Sequence, residues 1–266
     1  MLLLSRMAGR VTRLFHTGPT KELLEITDTP VGRFLTCDHD LVLATIRKTG
    51  YWDKHLLAIF EANIDKESIV IDVGAHCGFF SVFLAKKVRK VYSIEPQPYI
   101  FSILERNISL NNCQNIQALN IAAYDSETTL SIAPQKEQIV PMPTKDGQID
   151  YDRCPNSAGL ALSPRPGDIR GARMDDVIPK DEPVSFIKCD AQGADLRALK
   201  GAANIIQRCR PTILFEFEEM LAKIYGDTWS DYETYFERMG YKLEPVHNPM
   251  TQLGEQPYQE YLCRPV

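Results

Sequence analysis

The sequence predicts a doubly wound α/β fold: a seven-stranded, mostly parallel sheet that ends in an antiparallel C-terminal strand pair. Three observations predict it. Short β-branched runs alternate with helix-like stretches from residue 68 onward, a glycine turn leaves the first run, and two strand-like pieces close the chain with no helix between them. Strands that alternate with helices need right-handed crossovers and so lie parallel, whereas strands without room for a helix pair antiparallel.

The elements follow in order. Residues 68–72 form a buried strand by β-branched content and length, and Gly74 to Gly78 makes the turn. A helix is expected over 79–88, with Phe80, Phe83 and Leu84 on one face. Strand two covers 90–95, a helix 98–110 and strand three 116–122. Strand four covers 184–190, followed by a helical stretch over 194–209 weakened at Gly201, and strand five covers 212–216. Ser230 with Glu233 reads as a capping box opening a helix that runs through Met239 and is closed by Gly240. Strands over 241–246 and 260–263 complete the sheet.

At 266 residues, length alone allows one or two domains, and 44% hydrophobic with 24% charged residues describes an ordinary globule. The expected division is an N-terminal leader with helices over 1–62 and one catalytic domain over 63–266. Within it, residues 134–183 hold eight of the seventeen prolines and form an irregular insertion on the substrate side. The net charge of -5 argues against a nucleic-acid partner recognised through the overall field, and no apolar run is long enough to span a bilayer. Seven cysteines, odd in number and without a CxxC pair, read as free thiols in a reducing compartment, so a cytoplasmic location is expected. Residues 1–21 carry Arg6, Arg10, Arg13 and Lys21 and no acid, a composition shared with organelle transit peptides, which makes organelle targeting the alternative.

The chemistry concentrates in the turn after strand one, Asp72-Val73-Gly74-Ala75-His76-Cys77-Gly78. A dinucleotide fingerprint would read G-x-G-x-x-G. Here the glycines are four apart and Asp72 precedes them, an acid that would repel a diphosphate and suit a cationic sulfonium. That favours S-adenosylmethionine (SAM). Glu95, at the end of strand two, is placed to accept ribose hydroxyls, with Asn120 and Ala122 bordering the adenine. On strand four, Lys188 and Asp190 share a face. Asp190 is the first candidate for base or acceptor positioning, and Lys188 can pair with it or with Glu216. His76 is a further candidate base, and Tyr51 and Trp52 can roof the site.

Residues 71–81, Glu95-Pro96, Asn107 and Asn111 resemble the SAM-binding half of the FkbM-type methyltransferases. The resemblance continues through 173–176, 187–195, 199–202 and 211–216, and so spans about residues 40–220. It implies a class I SAM-dependent, Rossmann-like fold, with Gly74, Ala75, His76, Gly78, Phe79 and Pro96 beside the cofactor. It also implies methylation of a hydroxyl on a sugar, glycan or small natural product. The family's D-x-E-G-x-E appears as Asp190-Ala191-Gln192-Gly193-Ala194-Asp195, so Gln192 removes a charge near the crevice. Methylation of RNA or protein, and a non-catalytic SAM-binding scaffold, are the alternatives. A divalent ion is conceivable only where Asp190, Glu216 and Glu218 converge, and no metal site is expected.

Overall fold

The computed structural model describes residues 12–13, 24–247 and 258–266. Its main sheet contains β1 (Ile69–Val73), β2 (Lys90–Ile94), β3 (Ile116–Leu119), β4 (Val184–Cys189), β5 (Thr212–Glu218), β6 (Tyr241–Pro245) and β7 (Tyr258–Pro265). The order across it is β6-β7-β5-β4-β1-β2-β3. Strands β1 to β5 run parallel, and β7 is antiparallel to both β5 and β6. This is the doubly wound sheet with the antiparallel C-terminal pair that the sequence predicts. The strand order reverses at β1 and β4, and open α/β sheets bind ligands beyond the strand ends at such a point.

Both faces of the sheet are covered, which is why β1 is buried at every position. Ile69, Ile71 and Val73 pack with Ile187 and Cys189 on one face. Val70 packs with Phe186 on the other. That second face is closed largely by the N-terminal region. Glu25–Asp28 and Arg33–Thr36 form a hairpin, followed by α1 (Leu41–Thr49) and α2 (Lys54–Asn63). Phe34, Leu35, Ile46, Leu57 and Phe60 share one buried cluster with Val70, Phe80 and Phe186. The Phe60 ring lies 5.3 Å from Phe80 and 5.6 Å from Phe186.

Two asparagines, in α3 (Pro98–Leu110) and at its C-cap, bind this hairpin to the domain. Asn107 accepts from Leu35 N–H and donates to the Cys77 carbonyl, and Asn111 accepts from Arg33 N–H. Residues 24–63 therefore belong to the packing of the sheet. The basic leader lies outside the described residues, apart from Thr12–Arg13, which pairs antiparallel with Ile26 and Glu25.

Three expectations need correction. Residues 116–122 do not form one strand: β3 stops at Leu119, and Ala122–Ala123 pairs with Gly171–Ala172 in a second sheet. Asn120 marks the break, its amide donating to the carbonyls of Glu95 and Pro96. The insertion is more regular than its prolines suggest. Leu162–Ser163 and Ile169–Ala172 join Thr128–Ile132 in the same four-stranded sheet, and the prolines bend the chain between short pairings. The capping box lies two residues earlier than Ser230 and Glu233. Thr228 caps the helix Trp229–Met239, and Asp231 accepts from Thr228 N–H and Oγ1–H. Helix 194–209 is interrupted as expected: a Cβ on Gly201 would lie 1.9 Å from the Tyr124 carbonyl oxygen, so only glycine permits that approach.

Phe60→Ala should cost about 3–5 kcal/mol, because a fully buried ring is removed from between two parts of one core. Urea unfolding followed by both fluorescence and circular dichroism should remain a single transition. A separate early transition for the N-terminal segment would contradict the shared core.

Candidate active site

A cavity of about 310 Å³ lies at the carboxyl ends of β1, β2, β4 and β5. Its floor is organised by Lys188. This lysine is almost wholly buried, in register with Asp72 on the neighbouring strand. Its Nζ lies 3.5 Å from Asp72 Oδ1 and 3.4 Å from Asp190 Oδ2, and it donates to the carbonyls of Val73 and Gly74. Burial alone would lower its proton affinity, but the Asp190 and Asp72 carboxylates outweigh that and raise it, so Lys188 remains an ammonium. Burial raises Asp72, against the pull of Lys188 and a 2.6 Å hydrogen bond from Ser81.

The turn after β1 is shaped by close contact. Gly74 has φ 71°, and a Cβ there would lie 1.8 Å from the Asp190 carbonyl oxygen. Glu95 reaches across from the end of β2. One carboxylate oxygen accepts from His76 N–H and the other from Gln97 N–H, each at 2.9 Å. Burial pushes Glu95 up to about 7 despite these two bonds. Three non-glycine residues on the wall, Asp53, His76 and Gln192, hold left-handed φ values of 35°, 50° and 49°. Such strain gathers at ligand sites, where the surroundings over-determine the backbone.

Acids dominate the β4–β5 side. Asp190 accepts from Gln192 Nε2 at 2.9 Å. Glu216 stands opposite Glu260 on β7, and Glu260 is 2.7 Å from His55. Burial, then the Asp190, Asp195, Glu260 and Asp53 carboxylates, push Glu216 well above the ordinary carboxylate range. Asp53 is pushed to about 7 by burial and Glu260. Glu218 is 4% exposed, and its Oε1 meets no hydrogen-bond partner among the described residues. The insertion covers this space with Ile139, Asn156, Ala158, Gly159 and Leu160.

The cavity brings together ten of the expected residues: Gly74, Ala75, His76, Phe79, Glu95, Pro96, Ala122, Lys188, Asp190 and Glu216. Three stand behind it. Asp72 is fully buried and spends its carboxylate on Lys188 and Ser81. Gly78 begins the helix Phe79–Ala85 and packs under Leu104. Asn120 faces the carbonyls at the end of β2. Lys188 pairs with Asp190 and Asp72, not with Glu216. Trp52 lines the cavity, whereas Tyr51 packs on the core and under Lys54. Among the described residues no three His, Cys, Asp or Glu side chains, Asp190, Glu216 and Glu218 included, converge as metal ligands. No described helix is long and apolar enough to cross a membrane. Gln97, Asp53 and Tyr124 also line the cavity, and nothing local to them in sequence marks them.

The methyltransferase FkbM domain matches residues 72–243. The chain belongs to the FkbM methyltransferase family. It is 25% identical over 192 residues to methyltransferase sdnD of Sordaria araneosa, covering 63% of this chain and 69% of that protein. Methyltransferase 1 of Beauveria bassiana is 25% identical over 145 residues, 51% of this chain and 58% of the other. The crystal structure of methyltransferase FkbM from Methylobacillus flagellatus KT aligns with 76% of this chain at 19% identity and a TM-score of 0.49. The chain spans 44% of that larger protein. FkbM methyltransferases use SAM as methyl donor, and the sheet order here is that of the class I SAM-dependent fold.

Two outcomes follow for this FkbM domain. Lys188→Met leaves Asp72 charged and buried without its cation, which should cost about 3–5 kcal/mol, and adding Asp72→Asn should recover part of it. Chemical denaturation of both variants checks this. The second outcome concerns pH. Glu95, Asp53 and Asp195 all titrate near 7 when folded, above their ordinary values of 4.5, 3.8 and 3.8. Between those values and about pH 7 the folded state holds protons that the unfolded chain has released, so stability falls as pH rises. His76, lowered by burial, acts in the opposite sense. The melting temperature should therefore drop from pH 5.5 to pH 8, and Glu95→Gln should flatten the drop.

Proposed function

We propose that this FkbM methyltransferase transfers the SAM methyl group to a hydroxyl of a small molecule. The observation that carries the reading is the covered cavity. The insertion partly covers the space between Glu95 on the β2 side and Asp190 and Glu216 on the β4–β5 side, which suits a small acceptor better than a nucleic-acid strand. SAM supplies a methyl group on a cationic sulfur. The chain supplies position and charge. Each Glu95 oxygen accepts one backbone N–H and retains a lone pair, so the carboxylate can also accept ribose hydroxyls. Phe79, Ile94, Pro96 and Ala122 offer an apolar wall for a purine. The glycine turn brings backbone close to the cofactor, in place of the charge pairing expected of Asp72.

Asp190 is the residue proposed to orient the acceptor hydroxyl and take its proton as the C–O bond forms. Lys188 and Gln192 fix its carboxylate from two sides, which aims it without a metal ligand set. Glu216, whose proton affinity is raised by burial and neighbouring acids, can offer an O–H donor to the same acceptor when it holds its proton. Alignment of acceptor and methyl can supply much of the rate such a displacement needs, and a positioned base adds to it.

The test combines calorimetry with S-adenosylhomocysteine (SAH) and turnover of labelled SAM. Glu95→Ala should weaken SAH binding at least roughly tenfold. With a panel of hydroxyl-bearing sugars and phenols, Asp190→Asn should lower kcat by about 10²–10⁴ while leaving SAH affinity nearly unchanged. Label passing instead to RNA or protein would overturn the small-molecule reading.

A further inference from the structure

His76 lines the cavity and belongs to no step of that scheme. Its Nδ1 is buried and meets no hydrogen-bond partner among the described residues. Its Nε2 lies 2.8 Å from Ser157 Oγ. That hydroxyl is 2.6 Å from Asp40 Oδ2, which also accepts from Ser157 N–H at 2.8 Å. The proton arrangement follows from counting. A carboxylate only accepts and a hydroxyl carries one proton, so the Ser157 proton goes to Asp40. The Ser157 oxygen must then accept from His76 Nε2–H, and the ring's lone pair falls on Nδ1.

The parts of this arrangement are held independently. Asp40 caps α1 by accepting from Leu43 N–H through Oδ1. The Ser157 carbonyl accepts from Gln97 Nε2 at 3.0 Å. His76 N–H is held by Glu95. Three segments, at residues 40, 95–97 and 157, thus fix one imidazole, and turning the ring over would break its bond to Ser157. Burial keeps the ring neutral, with Asp40 and Asp190 opposing and Lys188 assisting. A buried acceptor with no donor is destabilising unless something that enters the cavity supplies one.

We propose that Asp40 and Ser157 lock His76 as its Nε2–H tautomer, so that Nδ1 accepts a hydrogen bond from the bound cofactor. The donor is either the ammonium of the amino-acid tail or a ribose hydroxyl. The cofactor half of this inference rests on the SAM reading above, whereas the lock does not. Ser157 and Asp40 are positioning residues that act through the ring.

The experiment uses the full chain with ¹⁵N-labelled histidine rings, the His76 signals being assigned by their loss in His76→Asn. Two-bond correlations in the free protein should show Nε2 protonated and Nδ1 bare. Saturating SAH should shift the Nδ1 resonance upfield. If 5′-methylthioadenosine, which keeps the ribose and lacks the tail, gives the same shift, the donor is a ribose hydroxyl. If only SAH does, it is the ammonium. Ser157→Ala should produce a mixture of tautomers and lower SAH affinity several-fold, and Ser157→Thr should restore both. An Nδ1–H tautomer in the free protein overturns the lock, and an Nδ1 unmoved by bound SAH overturns the cofactor contact. The wild-type spectra decide both points even if Ser157→Ala does not fold. Calorimetric failure to bind SAH at all would instead sink the SAM reading and leave the tautomer result standing.

Discussion

A single buried ammonium sets the geometry on which the rest of the site depends. Lys188 stands in the middle strand of the sheet, beside Asp72 in register and Asp190 two residues on. A charge at that depth is tolerated only with its partners in place. The partners it recruits are the last acid of β1, the first acid beyond β4 and the carbonyls that open the glycine turn. One side chain thereby fixes the ends of both strands at the switch point. It also explains why Gly74 must be glycine. With β1 and β4 drawn together, the Asp190 carbonyl occupies the space a Cβ would need.

The same neutralisation shapes the electrostatics. Among the described residues lining the cavity Lys188 is the one lysine or arginine, and two carboxylates already share it. The remaining acids cannot be paired in the same way, and they respond by holding protons. Glu216 faces Glu260 across β5 and β7, an arrangement that disfavours two charges, and His55 takes Glu260. Burial and mutual repulsion raise the proton affinity of Glu216, Asp53 and Glu95.

Much of the fold was legible because it rests on local signals. The β-branched runs gave the strands, and Pro98 and Gly240 marked a helix start and a helix end that the structure retains. What escaped depends on register and distance. Asp72 precedes the glycine turn and so reads as a ligand contact. Side chains alternate along a strand, however, and only the pairing with β4 shows that Asp72 faces Lys188 and not the cavity. The capping box opens at Thr228 and not at Ser230, because Asp231 can close the same ring as a glutamate. Residues 24–63 carry apolar side chains whose partners lie on strands far along the chain, so their share in the core has no local signature.

The Asp40–Ser157–His76 chain was invisible for the same reason, its members being 117 and 81 residues apart. Their convergence changes the meaning of the insertion. A cover that only excluded water would need apolar contacts, and Ile139, Ala158 and Leu160 supply them. Ser157 adds a polar tether that runs from the insertion through His76 to the loop holding Glu95. Displacing the insertion would leave the His76 Nε2–H and the Asp40 carboxylate without their shared partner. The cover is therefore coupled by hydrogen bonds to the Glu95 end of the cavity, and its position depends on the same residues that shape that wall.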